Sequence, residues 1–160
     1  MIPNWRVRIV EIPVTVTLDA YEDGDVVGGT LTSDEIPQLV GGGYVAWVRL
    51  IDGGTQAEPY KLWLFNAAPS TIADGAAHAP TEADMLKCLG VVDIAAADYN
   101  TSGTEADMAF VAAKDEKTED NIMFDNLSNG RLYARLVANG ATPTYADAND
   151  LTLHICVLTM

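Results

Sequence analysis

Few side chains in this sequence could do acid–base, nucleophilic or metal chemistry, and their spacing limits what they can do. The two histidines are far apart: His78 lies in an alanine-rich stretch and His154 inside an apolar run near the C-terminus. Ser33, Ser70 and Ser102 are available hydroxyls, but none sits in a G-x-S-x-G elbow, the sharp turn that presents a serine to its base. An imidazole without a placed partner does no general acid–base work. His78 is therefore read as exposed and His154 as packed. Asp19, Asp23 and Asp25 cluster oxygen donors of the kind a hard cation takes, yet the spacing lacks the closing bidentate Glu of an EF-hand. A calcium ion in the Asp19–Asp25 loop stays an open alternative and is not assigned. Gly28-Gly29 and Gly41-Gly42-Gly43 are not followed by Lys-Ser/Thr, so they read as turn glycines and not as phosphate cradles. Cys88 and Cys156 both have apolar neighbours and read as buried reduced thiols, a disulfide between them being the alternative. No C-x-x-C or Cys/His spacing supports zinc. The expectation is a protein that is not an enzyme and has no metal or cofactor.

Charge excludes further classes. The 160 residues carry 23 acidic and 9 basic side chains, a formal net charge of −14. Nucleic-acid binding needs clustered Lys and Arg against phosphates, so it is disfavoured, as is an anionic membrane surface. Arg6 and Arg8 are the only cations in the first 48 residues. The N-terminus has no long apolar segment and no run of the chain is apolar enough to span a bilayer. The protein is expected to be made in the cytoplasm and left unprocessed.

The elements that must position these residues read as strands. Tyr44–Ile51 and Tyr60–Phe65 are rich in β-branched and aromatic residues, bounded by glycines, Asp52-Gly53-Gly54 and Pro59. Each has one apolar face and one mixed face carrying Trp beside a cation: Trp47 with Arg49, Trp63 with Lys61. Either face pair is core covered by the chain itself, or it is a contact surface. Asp25–Leu31, Leu89–Ile94, Asp107–Ala112, Asn121–Phe124, Arg131–Ala138 and Leu151–Leu158 add further short strands. Thr81 reads as the N-cap of one short helix, with Glu82 and Asp84 in its first turn. Arg6 to Ile9 alternates with one phase and Ile12 to Leu18 with another. That slip, with Pro13, predicts a bulge or a free arm running into an edge strand.

The tally predicts an all-β fold, a jelly-roll-like β-sandwich with one short helix. Residues 1–20 form an N-terminal arm and first strand, and residues 21–160 a single sandwich domain. Arg131, Tyr133 and Arg135 project from one face of their strand, and Tyr and Arg are the residue types enriched at interface hot spots. Trp5, Arg6 and Arg8 form a tether candidate that pairs with a neighbour's sheet edge, unless the segment is the edge strand of its own sheet.

An ordered set of stretches resembles the capsid decoration, or cement, proteins of tailed phages. It comprises Gly24-Asp25-Val26-Val27-Gly28-Gly29, Gly42-Gly43 leading to Leu50-Ile51-Asp52, and Leu62-Trp63-Leu64-Phe65 with Pro69-Ser70. It continues through Ala73-Asp74-Gly75-Ala76-Ala77 with Glu82-Ala83-Asp84, then Leu132-Tyr133, Thr144-Tyr145 and Asp150-Leu151. Gly75 stands where a more polar Asn is expected. The resemblance implies a β-sandwich on the outside of a virion, bridging major capsid protein subunits as a homo-oligomer, trimer or dimer, with no catalytic residues. The alternative is a carbohydrate- or receptor-binding jelly-roll module of a phage fibre, with Trp47, Tyr60 and Trp63 stacking on sugars.

Overall fold

In the computed structural model, which describes residues 6–36 and 40–159, the chain pairs with itself in nested order. The first strand, β1 (Arg6–Val14), lies against the last, β10 (Leu151–Thr159), and β2 (Val26–Thr32) lies against β9 (Tyr133–Ala138). β3 (Val40–Asp52) meets β7 (Asp107–Ala112) and β8 (Met123–Asn126), while β4 (Tyr60–Phe65) meets β5 (Cys88–Ile94). Such a ribbon, rolled up, gives two antiparallel sheets. One is six-stranded, in the order β1-β10-β3-β7-β6 with β8 also on β3; β6 is the two-residue strand Tyr99–Asn100. The other is four-stranded, in the order β2-β9-β4-β5. This is the jelly-roll sandwich expected from the strand count and turn spacing.

The core lies between the sheets. Val10, Ile12 and Val14 of β1, Val48 and Leu50 of β3, and Leu153, Ile155 and Val157 of β10 face Leu62, Leu64, Leu136 and Ile94 across it. Alternation places these residues inward, and their burial supplies the driving force. The one α-helix among the described residues, α1 (Glu82–Met85), begins as expected at Thr81. Thr81 Oγ1 accepts from Asp84 N and the Asp84 carboxylate accepts from Thr81 N, each at 3.1 Å, a reciprocal cap for so short a helix. The two cysteines are both free.

One expectation needs correction here. β1 pairs with β10 without a register shift from Arg6 to Val14, so the change of phase at Ile9 is not a bulge. Val10, Ile12 and Val14 point inward and Val7 and Ile9 outward; the pattern looked broken because both faces of this strand are apolar. A register shift does occur in β2, between Val27 and Leu31. There Gly28 has a positive φ of 79°, and a Cβ would lie 2.5 Å from Val14 Cγ1. Only glycine fits that approach.

Candidate functional site: the outer faces of the two sheets

The outer face of the four-stranded sheet is closed by residues 66–87. Trp63 and Arg135 are paired across β4 and β9. His78 lies on Trp63, with ring centroids 4.6 Å apart, and the Arg135 guanidinium sits 5.5 Å from the Phe65 ring centroid. Arg135 has no solvent exposure. Its Nη2 donates to the carbonyl and hydroxyl oxygens of Ser70 and lies 3.6 Å from Asp84 Oδ2. Asp84, also buried, accepts from Ser70 N and Ser70 Oγ, both at 2.6 Å. Those Ser70 bonds, with the Thr81 cap, hold the Asp84 carboxyl well below the usual carboxylate range against the opposing effect of burial. His78 is pushed the other way: burial first, then the Arg135 charge, lowers its pKa, with Asp84 partly compensating. A carboxylate so strongly ionised is a poor base for the Ser70 hydroxyl it accepts from, so this cluster is a clamp and not a nucleophile–base pair.

A second tie holds the same segment further along. Asp74 accepts from Gly28 N at 2.6 Å, Thr17 N at 2.8 Å and Tyr21 Oη at 2.8 Å. Gly75 follows with a positive φ of 73° and open space around it, which suits a glycine at that turn.

Arg131, Tyr133 and Arg135 therefore do not form an outward contact surface. β9 is buried along its whole length, flanked by β2 and β4 and covered from outside. Tyr133 is 9% exposed, and Arg131 is half-buried with Nη1 donating to Ser33 O at 2.8 Å. His78, expected to be exposed, has both ring nitrogens buried.

The outer face of the six-stranded sheet is most open along β1, β7 and β8 and less so along its middle strand, where Cys156 and His154 are 2% and 9% exposed. Register aligns its outward side chains in four rows across the strands. Val7, Leu158, Tyr44 and Met123 form the first, and Ile9, Cys156, Trp47 and Ala112 the second. Glu11, His154, Arg49 and Phe110 form the third, and Pro13, Thr152, Ile51 and Met108 the fourth. Every position is apolar except Glu11, His154, Arg49 and Thr152. Val7 is 60% exposed, Ile9 57%, Phe110 53% and Met123 66%. Trp47 and Phe110 stack with centroids 4.9 Å apart, Arg49 sits 5.9 Å from the Trp47 ring centroid, and His154 Nε2 lies 3.2 Å from Glu11 Oε2. At strand and residue spacings of about 4.8 and 3.4 Å, four such rows cover roughly 500 Å². Even with its four polar positions counted in, that is about the size of the largest apolar patch on a typical monomer, which is often functional.

No family model and no curated protein matches the chain. Its site is therefore read from geometry alone. Among the described residues no group of three or more His, Cys, Asp or Glu is placed to hold a metal ion. Asp25 accepts from Glu22 N and closes a turn, and Asp23 accepts from Gly140 N across the fold. Among the described residues no helix is long and apolar enough to cross a membrane.

Of the predicted contact residues, Arg6 and Arg8 are exposed, but they lie on the sandwich-facing side of β1, opposite to Val7 and Ile9. Trp5 lies outside the described residues. Glu11, His154 and Phe110 were missed. The available signal was that β1 and β10 are apolar on both faces, which requires a second cover for the sheet.

Proposed function

We propose that this chain is a virion structural protein of the decoration or cement type, binding major capsid protein subunits on the outer shell as a homo-oligomer. The observation that carries the reading is the bare apolar face of the six-stranded sheet, centred on Trp47 and Phe110. A flat, rigid surface with aromatic anchors and one polar row suits a partner that presents an equally flat protein surface. Binding by buried area and by several copies acting together needs no catalytic group, cofactor or metal, and none is proposed. Nucleic acid and membrane are not proposed as partners, because the charge of −14 opposes both.

The test is to mix purified protein with undecorated capsids and image them. Wild-type protein should occupy the shell, and Phe110→Asp should not, while melting like the wild type. Equal occupancy by the folded variant would remove this face from the reading.

A second reading, carbohydrate binding, has one observation in its favour: the Trp47–Phe110 pair beside Glu11, His154 and Arg49 offers both a stacking platform and hydrogen-bonding groups. Tyr60 is fully buried and Trp63 lies under His78, so neither contributes. Glycan-array binding that is lost on Trp47→Ala, with capsids left bare by the wild type, would favour it.

A further inference from the structure

Five strands, β1, β2, β5, β6 and β8, have a side that no other strand of the two sheets pairs, and four of them are covered or short, β8 being four residues long. Along β2, Gly75 N donates to Val26 O at 2.8 Å and Asp25 bridges Ala77. Along β5, Glu116 N donates to Val91 O at 2.8 Å. β6 is only two residues long. β1 is different: its nine residues form the end of the six-stranded sheet, and among the described residues no strand pairs with its far side. Long uncovered edges of this kind are templates for another strand.

The direction of its free groups follows from the ladder. Gly53 N donates to Asp150 O, so the even-numbered residues of β10 bond toward β3 and its odd-numbered ones toward β1. Their partners in β1 are the even-numbered residues, Arg8↔Val157 and Val10↔Ile155. Val7, Ile9, Glu11 and Pro13 are left facing the open edge. Pro13, which has no N–H to offer, fits that side. A cleft of about 230 Å³ runs along this edge, walled by residues 8–11 of β1 and by Asp34, Glu35 and Ile36.

We infer that a second copy of this chain adds at the β1 edge, the two β1 strands running antiparallel about a twofold axis at Ile9. In this register Ile9 faces Ile9 of the second copy, and Val7 and Glu11 face each other across both sides of the axis. Each of the three residues then exchanges both main-chain bonds, using every free N–H and C=O from Val7 to Glu11. The charges agree. Asp34 and Glu35 line the cleft together with the chain's own Arg8, and in this register the side chain of Arg8 from the second copy arrives there too, so that two carboxylates meet two of the few cations in the first 48 residues. The axis stands perpendicular to the sheet, so both outer apolar faces point the same way and merge. One face of roughly 500 Å² falls short of the ~800 Å² per partner of a stable interface, whereas the merged face exceeds it. The pairing gives a geometry to the homo-oligomer of the proposed function, and it is tested apart from the shell-binding face.

The test is mass in solution by sedimentation, at physiological salt, where a Debye length of about 8 Å limits repulsion between two such acidic chains. Wild-type protein at high micromolar concentration should have twice the chain mass of 17.1 kDa. Ile9→Pro leaves the bonds to β10 intact and should give a folded monomer. Asp34→Lys with Glu35→Lys, both at exposed positions, should weaken the dimer about tenfold, and adding Arg8→Glu should restore it. A monomeric wild type, a dimer unchanged by the folded Ile9→Pro variant, or a charge reversal without effect would each overturn the inference. Phe110→Asp, which tests shell binding, should leave the dimer intact, so the two readings fail separately.

Discussion

The two outer faces of this sandwich start from similar strands and end differently. Trp63 beside Lys61 on β4 and Trp47 beside Arg49 on β3 have the same local pattern, an aromatic next to a cation on the mixed face of a strand. On the four-stranded sheet, residues 66–87 fold back over that face, clamped through Asp84 and Asp74, and Arg135 is fully buried beneath them. On the six-stranded sheet no comparable segment is present among the described residues, and Phe110 remains 53% exposed. The connection after β4 is long and carries two carboxylates that bind main-chain donors. The difference therefore lies in the loops and not in the strands. A Trp–cation pair on a strand says nothing by itself about whether its cover comes from the same chain or from another.

Breaking the clamp should have the largest effect. Asp84→Ala removes the acceptor for Ser70 and leaves Arg135 as an uncompensated buried charge, so it should cost about 3–5 kcal/mol, read from urea unfolding. A loss under about 1 kcal/mol would mean that residues 66–87 are held by packing alone. A smaller effect should come from pH. His78 has a lowered pKa in the folded state, so the unfolded chain binds its proton more readily. Stability conferred by the neutral ring is complete above about pH 6.5 and is lost as the pH falls toward the lowered folded value. Trp63 fluorescence should report that loss, because the ring beside it becomes charged next to Arg135. The carboxyl of Asp84, held low, should add a second loss only at more acid pH, below the ordinary carboxylate range. His78→Phe should remove the first phase and keep the second.

The smallest effect is expected on the bare face. Phe110→Asp should change stability by no more than about 0.5 kcal/mol, because an exposed side chain has little burial to lose. It should also reduce binding of an apolar dye to the native protein. A large destabilisation would mean that the Trp47–Phe110 stack supports the fold, and would weaken the case for a face kept open for a partner.

Strand positions were legible because period-two patterning and turn residues are local. Tyr60–Phe65 is found as expected, Asp107–Ala112 likewise, and Thr81 caps the helix predicted for it. The reading failed where exposure depends on what lies above a face. Arg131, Tyr133 and Arg135 alternate as an outward row should, and they do point away from the core. Arg135 is buried because a segment about fifty residues earlier in the chain covers it, and Arg131 is half-buried with its guanidinium on Ser33 O. Ser70, Asp84 and Arg135 form one network from three separated stretches, and no spacing in the sequence announces it.

By itself, then, the sequence determined the fold class, the strands and the single helix cap, because each follows from interactions within a few residues. It also set a charge balance that opposes nucleic-acid binding. Only the tertiary structure decided which sheet face is sealed, where the Trp47–Phe110 surface opens and which edge strand is unpaired. Those outcomes depend on nested pairing between the ends of the chain and on two aspartates tying down one long loop, contacts that local propensity does not encode.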